Sequence, residues 1–317
     1  MSRKLGLSVA QVGGINLDEP RSAVVRRLVD LMKEAKSRGS SFVVYPELTL
    51  TTFFPRYWFN ETSEADRFFE SAMPNREVAP LFDLARELEV GFYLGYAELT
   101  PDGHRYNTSI LVNQKGKITG KYRKVHLPGH SDPRPELPAQ HLEKKYFEVG
   151  DLGFGVFDLL DTNVGMALCN DRRWPEVYRT MALQSAELIV LGYNTPTEVP
   201  GWAEESHAKM FTHLLSLQAG AYQNSVWVAA AGKCGAEDGH AMIGGSAIAA
   251  PSGEIVSKAY TEEDEIVFAN IDLDMGESYR QSVFNFAEHR RPENYSLIVE
   301  RTGRGAPLPV PDYEQVH

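Results

Sequence analysis

At 317 residues, 43% of them hydrophobic, the chain can bury a large core without disulfides or a structural metal. Its 43 acidic residues against 32 basic ones leave a formal net charge of -11, which argues against a nucleic-acid-binding surface and for ordinary solubility. Only two cysteines occur, Cys169 and Cys234, with no Cys/His ligand spacing, so neither a disulfide framework nor a zinc site is expected and a reducing cytoplasm is the natural compartment. Residues 5–12 are too short for a signal sequence, and no apolar run approaches membrane-spanning length.

In chain order, short β-rich runs at residues 7–12, 41–45 and 90–96 alternate with helical patterns at 22–37 and 77–88. The second half repeats the alternation: strands are expected at 164–169, 188–192 and 226–231, helices at 176–185 and 207–223. Gly95, Ser109, Gly116 and Ile118 recur as Gly232, Ser246, Gly253 and Ile255, each displaced by 137 positions, and each set frames a hairpin. The pattern predicts an α/β protein of two similar halves packed as a single domain over residues 1–300. A polar tail, 301–317, is expected to be mobile or to serve an interface. Long loops at 128–140 and 195–205 are expected to shape a site.

Cys169 is placed at the mouth of a buried strand, where Val164-Gly-Met-Ala-Leu168 meets Asn170-Asp-Arg-Arg-Trp-Pro-Glu176. A strand, tight turn and helix there would aim a thiol outward as a nucleophile, although a free cysteine is as readily a small buried hydrophobe. Glu47 ends another strand, Phe42-Val-Val-Tyr-Pro46, where α/β folds gather functional groups. Lys124 closes Gly120-Lys-Tyr-Arg-Lys, and Glu143 lies in His141-Leu-Glu-Lys-Lys145; in isolation both read as surface charges. Cys234 reads as incidental in a loop-like segment. Ile243-Gly-Gly-Ser246 lacks the lysine and length of a phosphate loop and reads as the start of a strand.

Taken together, Tyr45-Pro-Glu47, Tyr122-Arg-Lys-Val-His-Leu-Pro128 and Leu168-Cys-Asn-Asp-Arg-Arg-Trp-Pro-Glu176 closely resemble the three signature regions of the nitrilase superfamily of carbon-nitrogen hydrolases. The likeness extends through Thr51-Thr-Phe-Phe-Pro55, Gly95-Tyr-Ala-Glu98, Tyr146-Phe-Glu148 and Gly192-Tyr-Asn-Thr-Pro196 to Phe284-Asn-Phe286 and His289-Arg-Arg-Pro292. Within the superfamily the motifs look most like N-carbamoyl-D-amino acid amidohydrolases, most specifically in the octapeptide Cys169-Asn-Asp-Arg-Arg-Trp-Pro-Glu176, since nitrilases and simple amidases carry other residues after the cysteine. The resemblance implies a four-layer αββα sandwich. It makes Cys169 the nucleophile, attacking as an ionised thiolate, and Glu47 the acid-base. Lys124 and the Asn170 N–H hold the oxyanion, and Glu143 positions Lys124 or the hydrolytic water.

Arg172 and Arg173, three and four residues after the nucleophile, suit a substrate carboxylate, since guanidinium meets carboxylate bidentately. A pair of surface ion-pair residues at a helix start is the plainer alternative. By resemblance, Asn194 and Thr195 are polar substrate contacts, and His126 and His141 help to hold the pocket. The implied reaction hydrolyses an N-carbamoyl-D-amino acid to amino acid, ammonia and carbon dioxide with neither metal nor organic cofactor. The implied partners are a carboxylate-bearing small molecule and further copies of the chain, as a homodimer or homotetramer, with no nucleic acid and no membrane. A β-ureidopropionase-like or carbamoylputrescine amidase, and a non-catalytic binding protein on the same fold, are the rival readings. Departures from the pattern fall at 131–140 and 198–209.

Overall fold

A computed structural model describes residues 2–137, 140–199 and 205–308. In the first half, β1 (Lys4–Gly13), β2 (Phe42–Val44), β3 (Phe69–Glu70), β4 (Gly91–Leu99), β5 (Arg105–Val112) and β6 (Ile118–Arg123) accompany α1 (Arg21–Ser37) and α2 (Ala79–Leu88). In the second, β7 (Val156–Leu159), β8 (Thr162–Leu168), β9 (Leu188–Tyr193), β10 (Trp227–Glu237), β11 (His240–Ile243), β12 (Ala247–Ala249), β13 (Ile255–Lys258) and β14 (Glu265–Asp272) accompany α3 (Glu143–Tyr146), α4 (Pro175–Ala182) and α5 (Ser206–Asn224).

The halves share one wiring. The neighbour order β1-β2-β4-β5-β6 in one sheet is repeated as β8-β9-β10-β12-β13 in the other. The 137-residue echo is this duplication: Gly95 and Gly232 lie on β4 and β10, and Gly116 and Gly253 take left-handed φ in the two hairpin turns. A short parallel pairing of Val12 with Lys233 and Gly13 with Cys234 joins the sheets, and β14 returns antiparallel along β1.

Alternation along the strands builds the layers. In β1, Leu5, Leu7 and Val9 point into a core between the sheets, where they meet Val164, Met166, Leu168 and Val190 of the other half. Ala10 and Val12 face outward onto Val24, Leu28 and Leu31 of α1. The apolar stripes of α4 and α5, through Val177, Met181, Leu217 and Ala221, cover the second sheet in the same way. The result is α, β, β, α in four layers, as the resemblance implied.

Local differences from expectation have local causes. The strand expected to include Cys169 ends at Leu168, because Cys169 has φ +45° and opens a short 3-10 turn. The helix expected over 176–185 stops at Ala182, before Ser185 at φ +65°. Cys234 is not in a loop but inside β10, buried, with its thiol on the Glu263 carbonyl at 3.2 Å. Residues 243–246 do not start a strand: Gly244 and Gly245 have left-handed φ and turn the chain between β11 and β12. The expected loops at 128–140 and 195–205 and the tail at 301–317 lie partly outside the described residues. Among the described residues no helix is long and apolar enough to cross a membrane.

Candidate active site

The C-terminal ends of the strands converge from both halves. After β2 the chain runs through Tyr45 and Pro46 to Glu47 and then Leu48 at φ +43°, a tight bend between two glycines. A Cβ on Gly95 would sit 2.7 Å from the Pro46 carbonyl oxygen, and one on Gly192 would sit 2.4 Å from the Glu47 nitrogen. Only glycine lets β4 and β9 approach the Glu47 peptide so closely. Lys124 follows β6 directly, and its N–H donates to the Asn107 carbonyl at 2.8 Å. Cys169 follows β8.

The turn carrying Cys169 is held by Asp171, a fully buried carboxylate. Its Oδ2 accepts the Leu168 N–H at 3.0 Å and the Tyr122 hydroxyl at 2.7 Å, while its Oδ1 accepts the His126 N–H at 3.0 Å and lies 2.8 Å from His126 Nδ1. These donors therefore share an anionic acceptor, which makes their bonds stronger than neutral ones.

Glu47, Lys124 and Glu143 form a sealed triad, each with no exposed surface. Lys124 Nζ donates to Glu47 Oε1 at 2.7 Å and to Glu143 Oε2 at 2.6 Å. Burial opposes the charge on Lys124, but the Cys169 sulfur and the two carboxylates outweigh it and hold its pKa well above the ordinary lysine range. Burial would likewise lift Glu143, yet Lys124 and His141, whose Nε2 lies 3.2 Å from Glu143 Oε1, bring it below the usual range. The rest of the Glu47 carboxylate is committed: Oε1 accepts Asn107 Nδ2 at 2.9 Å and Oε2 the Asn194 N–H at 2.9 Å.

Burial, then the Glu47 charge, push the Cys169 thiol up to about 11 against the pull of Lys124 and Arg172. The sulfur therefore rests as a neutral thiol, its proton directed at the Asn194 carbonyl 3.7 Å away. This corrects the expectation of a standing thiolate. A base must take the proton as the bond to substrate forms, and of the buried carboxylates whose charge acts on the thiol, Glu47 acts more strongly than Glu143.

A small cavity of about 20 Å³ lies over the sulfur, lined by Asn170, Arg172, Arg173, Asn194 and Thr195, with His141 and Lys209 also in its wall. Arg172 is 2% exposed, and its acceptors among the described residues are all uncharged. Nη1 donates to the Cys169 carbonyl at 2.7 Å, Nη2 to Thr195 Oγ1 at 2.9 Å and Nε to His213 Nδ1 at 3.1 Å, with the guanidinium 4.8 Å above the Tyr193 ring. Burial, and after it Arg172, drive His213 far below the ordinary histidine range, so its ring is neutral and its Nε2–H donates to the Gly245 carbonyl at 3.2 Å. A cation sunk in a pocket among neutral partners leaves room for one anion from outside.

The structure thus gathers Glu47, Lys124, Glu143 and Cys169, and lines the adjoining pocket with His141, Asn170, Arg172, Arg173, Asn194 and Thr195. His126 does not line it. Its ring serves Asp171 and stacks on Trp174 at 4.8 Å, facing a separate recess. Asn107 on Glu47, His213 behind Arg172, and Lys209, whose Nζ donates to the Pro196 carbonyl at 3.0 Å, were not anticipated. No local signal marks Asn107 or His213, since each meets its partner across 60 or 41 residues of chain.

Chemically, the arrangement couples a thiol to a buried carboxylate, sets an ammonium group beside both, and offers a guanidinium to a substrate anion. That is the equipment for acyl transfer through a thioester.

The family description "Carbon-nitrogen hydrolase" matches residues 8–281. Similar curated proteins include an N-carbamoylputrescine amidase of Arabidopsis thaliana, 32% identical with 86% of this chain and 89% of that protein covered. Another is a nitrilase of Pyrococcus abyssi, 34% identical with 84% and 89% covered. Among solved structures, a carbon-nitrogen hydrolase from Helicobacter pylori G27 superposes with a TM-score of 0.82 at 24% identity, covering 94% of this chain and 99% of that one. These likenesses reach the family and its amidases; they do not reach N-carbamoyl-D-amino acid hydrolysis in particular.

Proposed function

Because this chain belongs to the carbon-nitrogen hydrolase family, we propose that it is an amidase that hydrolyses N-carbamoyl amino acids of the D series. The observation that carries the reading is Arg172, a buried guanidinium beside the nucleophile whose acceptors among the described residues are all neutral. An α-carboxylate would supply the missing charge and, by anchoring there, hold the ureido carbonyl over the sulfur. The D preference is supported by resemblance alone, carried chiefly by the octapeptide Cys169-Asn-Asp-Arg-Arg-Trp-Pro-Glu176.

Cys169 Sγ attacks the carbonyl carbon as its proton passes to Glu47, and Lys124 Nζ and the Asn170 N–H stabilise the oxyanion. Collapse of this intermediate breaks a C–N bond, and Glu47 returns the proton to the departing nitrogen. Water, deprotonated by Glu47, then attacks the thioester; the carbamate released breaks down to carbon dioxide and an amine. Glu143, tied to Lys124 at 2.6 Å, keeps that ammonium aimed. Assembly as a homodimer or homotetramer is supported by the same resemblance and is checked by sizing against the 35.4 kDa chain.

The test is ammonia release across D- and L-carbamoyl amino acids, β-ureido acids, N-carbamoylputrescine, amides and nitriles. Carbamoyl-D-amino acids should lead, and Arg172→Lys should raise KM on them by about 10- to 100-fold while sparing uncharged carbamoyl compounds. Faster turnover of N-carbamoylputrescine, a cation, would overturn the reading, because Arg172 would repel it.

A further inference from the structure

A second sealed charge cluster stands apart from the triad of Glu47, Lys124 and Glu143. Glu237, at the end of β10, has no exposed surface, and its carboxylate accepts four donors. Oε1 takes the Phe53 N–H and Arg56 Nη2, both at 2.7 Å; Oε2 takes the Ile15 N–H at 3.0 Å and Lys233 Nζ at 2.7 Å. Lys233 is sealed as completely, and Arg56 is 7% exposed. Burial lowers the Lys233 pKa, and the Glu237 charge opposes that fall. Buried ion clusters often add little net stability over an apolar filling, so what distinguishes this one is the geometry it fixes.

That geometry is the path of residues 51–56. Lys233 Nζ also donates to the Thr51 carbonyl at 2.6 Å, Asp238 Oδ2 accepts Thr52 Oγ1 at 2.7 Å, and Arg56 Nε donates to the Phe53 carbonyl at 3.2 Å. The segment joins two members of the triad. At one end it follows Glu47 closely, just beyond the left-handed bend at Leu48. At the other, the Pro55 carbonyl accepts the N–H of Leu142, the residue before Glu143, at 2.8 Å. The Phe53 ring also packs 5.3 Å from the ring of His141, whose Nε2 lies 3.2 Å from Glu143 Oε1. Glu237 thus stands to this segment as Asp171 stands to the turn of Cys169: one buried carboxylate collects the donors of a bend.

We propose that Glu237, with Lys233 and Arg56, is a positioning residue of the hydrolysis: by holding residues 51–56 it fixes where Glu47 and Glu143 stand around the Lys124 ammonium. This rests on the mechanism proposed above, whichever amide is hydrolysed. Lys124 Nζ bonds the two carboxylates at 2.7 and 2.6 Å, so its aim at the oxyanion depends on where those partners are held. Arg172, the proposed anchor of the substrate carboxylate, bonds to none of these groups. Loosening the cluster should therefore slow the chemical step and leave substrate binding alone.

The experiment measures kcat and KM by ammonia release for the wild type, Glu237→Gln, Lys233→Met, Arg56→Met and Arg56→Lys, well below their melting temperatures. The substrate is the compound of the panel above that the wild type turns over fastest. Val24→Ala, in the core between α1 and the first sheet, is the control for lost stability alone. Glu237→Gln should lower kcat by about 10- to 100-fold with KM within about threefold. Lys233→Met, which keeps the Arg56 and backbone donors on Glu237, should lower kcat less, and it carries the test where Glu237→Gln does not fold. Arg56→Lys should recover at least about threefold of the kcat lost in Arg56→Met, because a cation still meets Glu237. Val24→Ala should keep kcat within about threefold despite a lower melting temperature. Wild-type kcat in a folded Glu237→Gln or Lys233→Met, a KM that rises as far as kcat falls, or an equal loss of kcat in Val24→Ala would overturn the positioning role and leave the proposed function intact. A wild type that prefers N-carbamoylputrescine sinks the substrate reading alone; one that hydrolyses nothing in the panel sinks both.

Discussion

Replacing Glu47 by Gln should move two observables in opposite directions. The Cys169 thiol sits at about 11, and after burial the largest cause is the negative charge on Glu47. At pH 8 that leaves roughly one molecule in a thousand as thiolate. Glu47→Gln removes the repelling charge but keeps a side chain of the same shape between Lys124, Asn107 and Asn194. The thiol pKa should then fall under the pull of Lys124 and Arg172. Each unit of fall raises the thiolate population tenfold and lowers its intrinsic nucleophilicity about threefold, so alkylation at pH 8 should quicken about threefold per unit. Turnover should drop by about 10² to 10⁴, because the group that accepts and returns the proton is gone. The assay is the pH midpoint of iodoacetamide labelling, with Cys169→Ala correcting for Cys234, read beside ammonia release. A labelling midpoint below pH 8 in the wild type would show a standing thiolate. An unmoved midpoint in Glu47→Gln, or turnover kept within tenfold, would remove Glu47 from the role given to it.

Gly192→Ala should cost about 1–3 kcal/mol in chemical denaturation and lower kcat more than it raises KM, because its Cβ would lie 2.4 Å from the Glu47 nitrogen and one backbone must give way. Asp171→Asn should destabilise by about 2–4 kcal/mol, since it swaps an anionic acceptor of the Leu168 and His126 N–H groups and the Tyr122 hydroxyl for a half-donor amide; an unchanged denaturation midpoint would contradict the elbow described. His213 is held neutral in the fold by burial and Arg172, so below the unfolded histidine value of about 6.5 the unfolded chain binds a proton that the folded one does not. Stability should therefore fall as the pH drops from about 6.5, and His213→Gln, which has no proton to gain, should flatten that slope in thermal melts.

Legibility of the site followed the strand ends. Cys169 and Glu47 each close an apolar run, so position alone made them candidates, whereas Lys124 closes a basic run and read in isolation as a surface charge. Glu143 looked like a surface charge, and only the likeness to the nitrilase superfamily raised it; the fold buries it because His141 and Lys124 are there to meet both oxygens. His126 was misplaced for a physical reason. Two residues beyond Lys124 it would be expected to share that residue's face, but the Asp171 carboxylate needs donors and His126 supplies two, from its N–H and its ring. Asn107 and His213 were invisible because an amide on one strand or a ring on one helix gains meaning only from the partner that folding brings to it.

The duplication explains why two similar halves make one site. The strand before Glu47 and the strand before Asn194 are counterparts, β2 and β9, and their ends meet directly: the Asn194 N–H bonds Glu47 Oε2 and its side-chain amide bonds the Glu47 carbonyl, both at 2.9 Å. At that seam the halves contribute different chemistry. In the proposed mechanism the first supplies the base and the ammonium, Glu47 and Lys124, and the second the thiol and the guanidinium, Cys169 and Arg172. On that mechanism neither half alone could carry the reaction, so the packing between the sheets would itself be a catalytic requirement. Leu7, Val9 and Tyr93 on one side and Met166, Leu168 and Val190 on the other set the depth at which the sulfur meets the carboxylate. A misfit there of even a methyl group should therefore cost activity before it costs the fold.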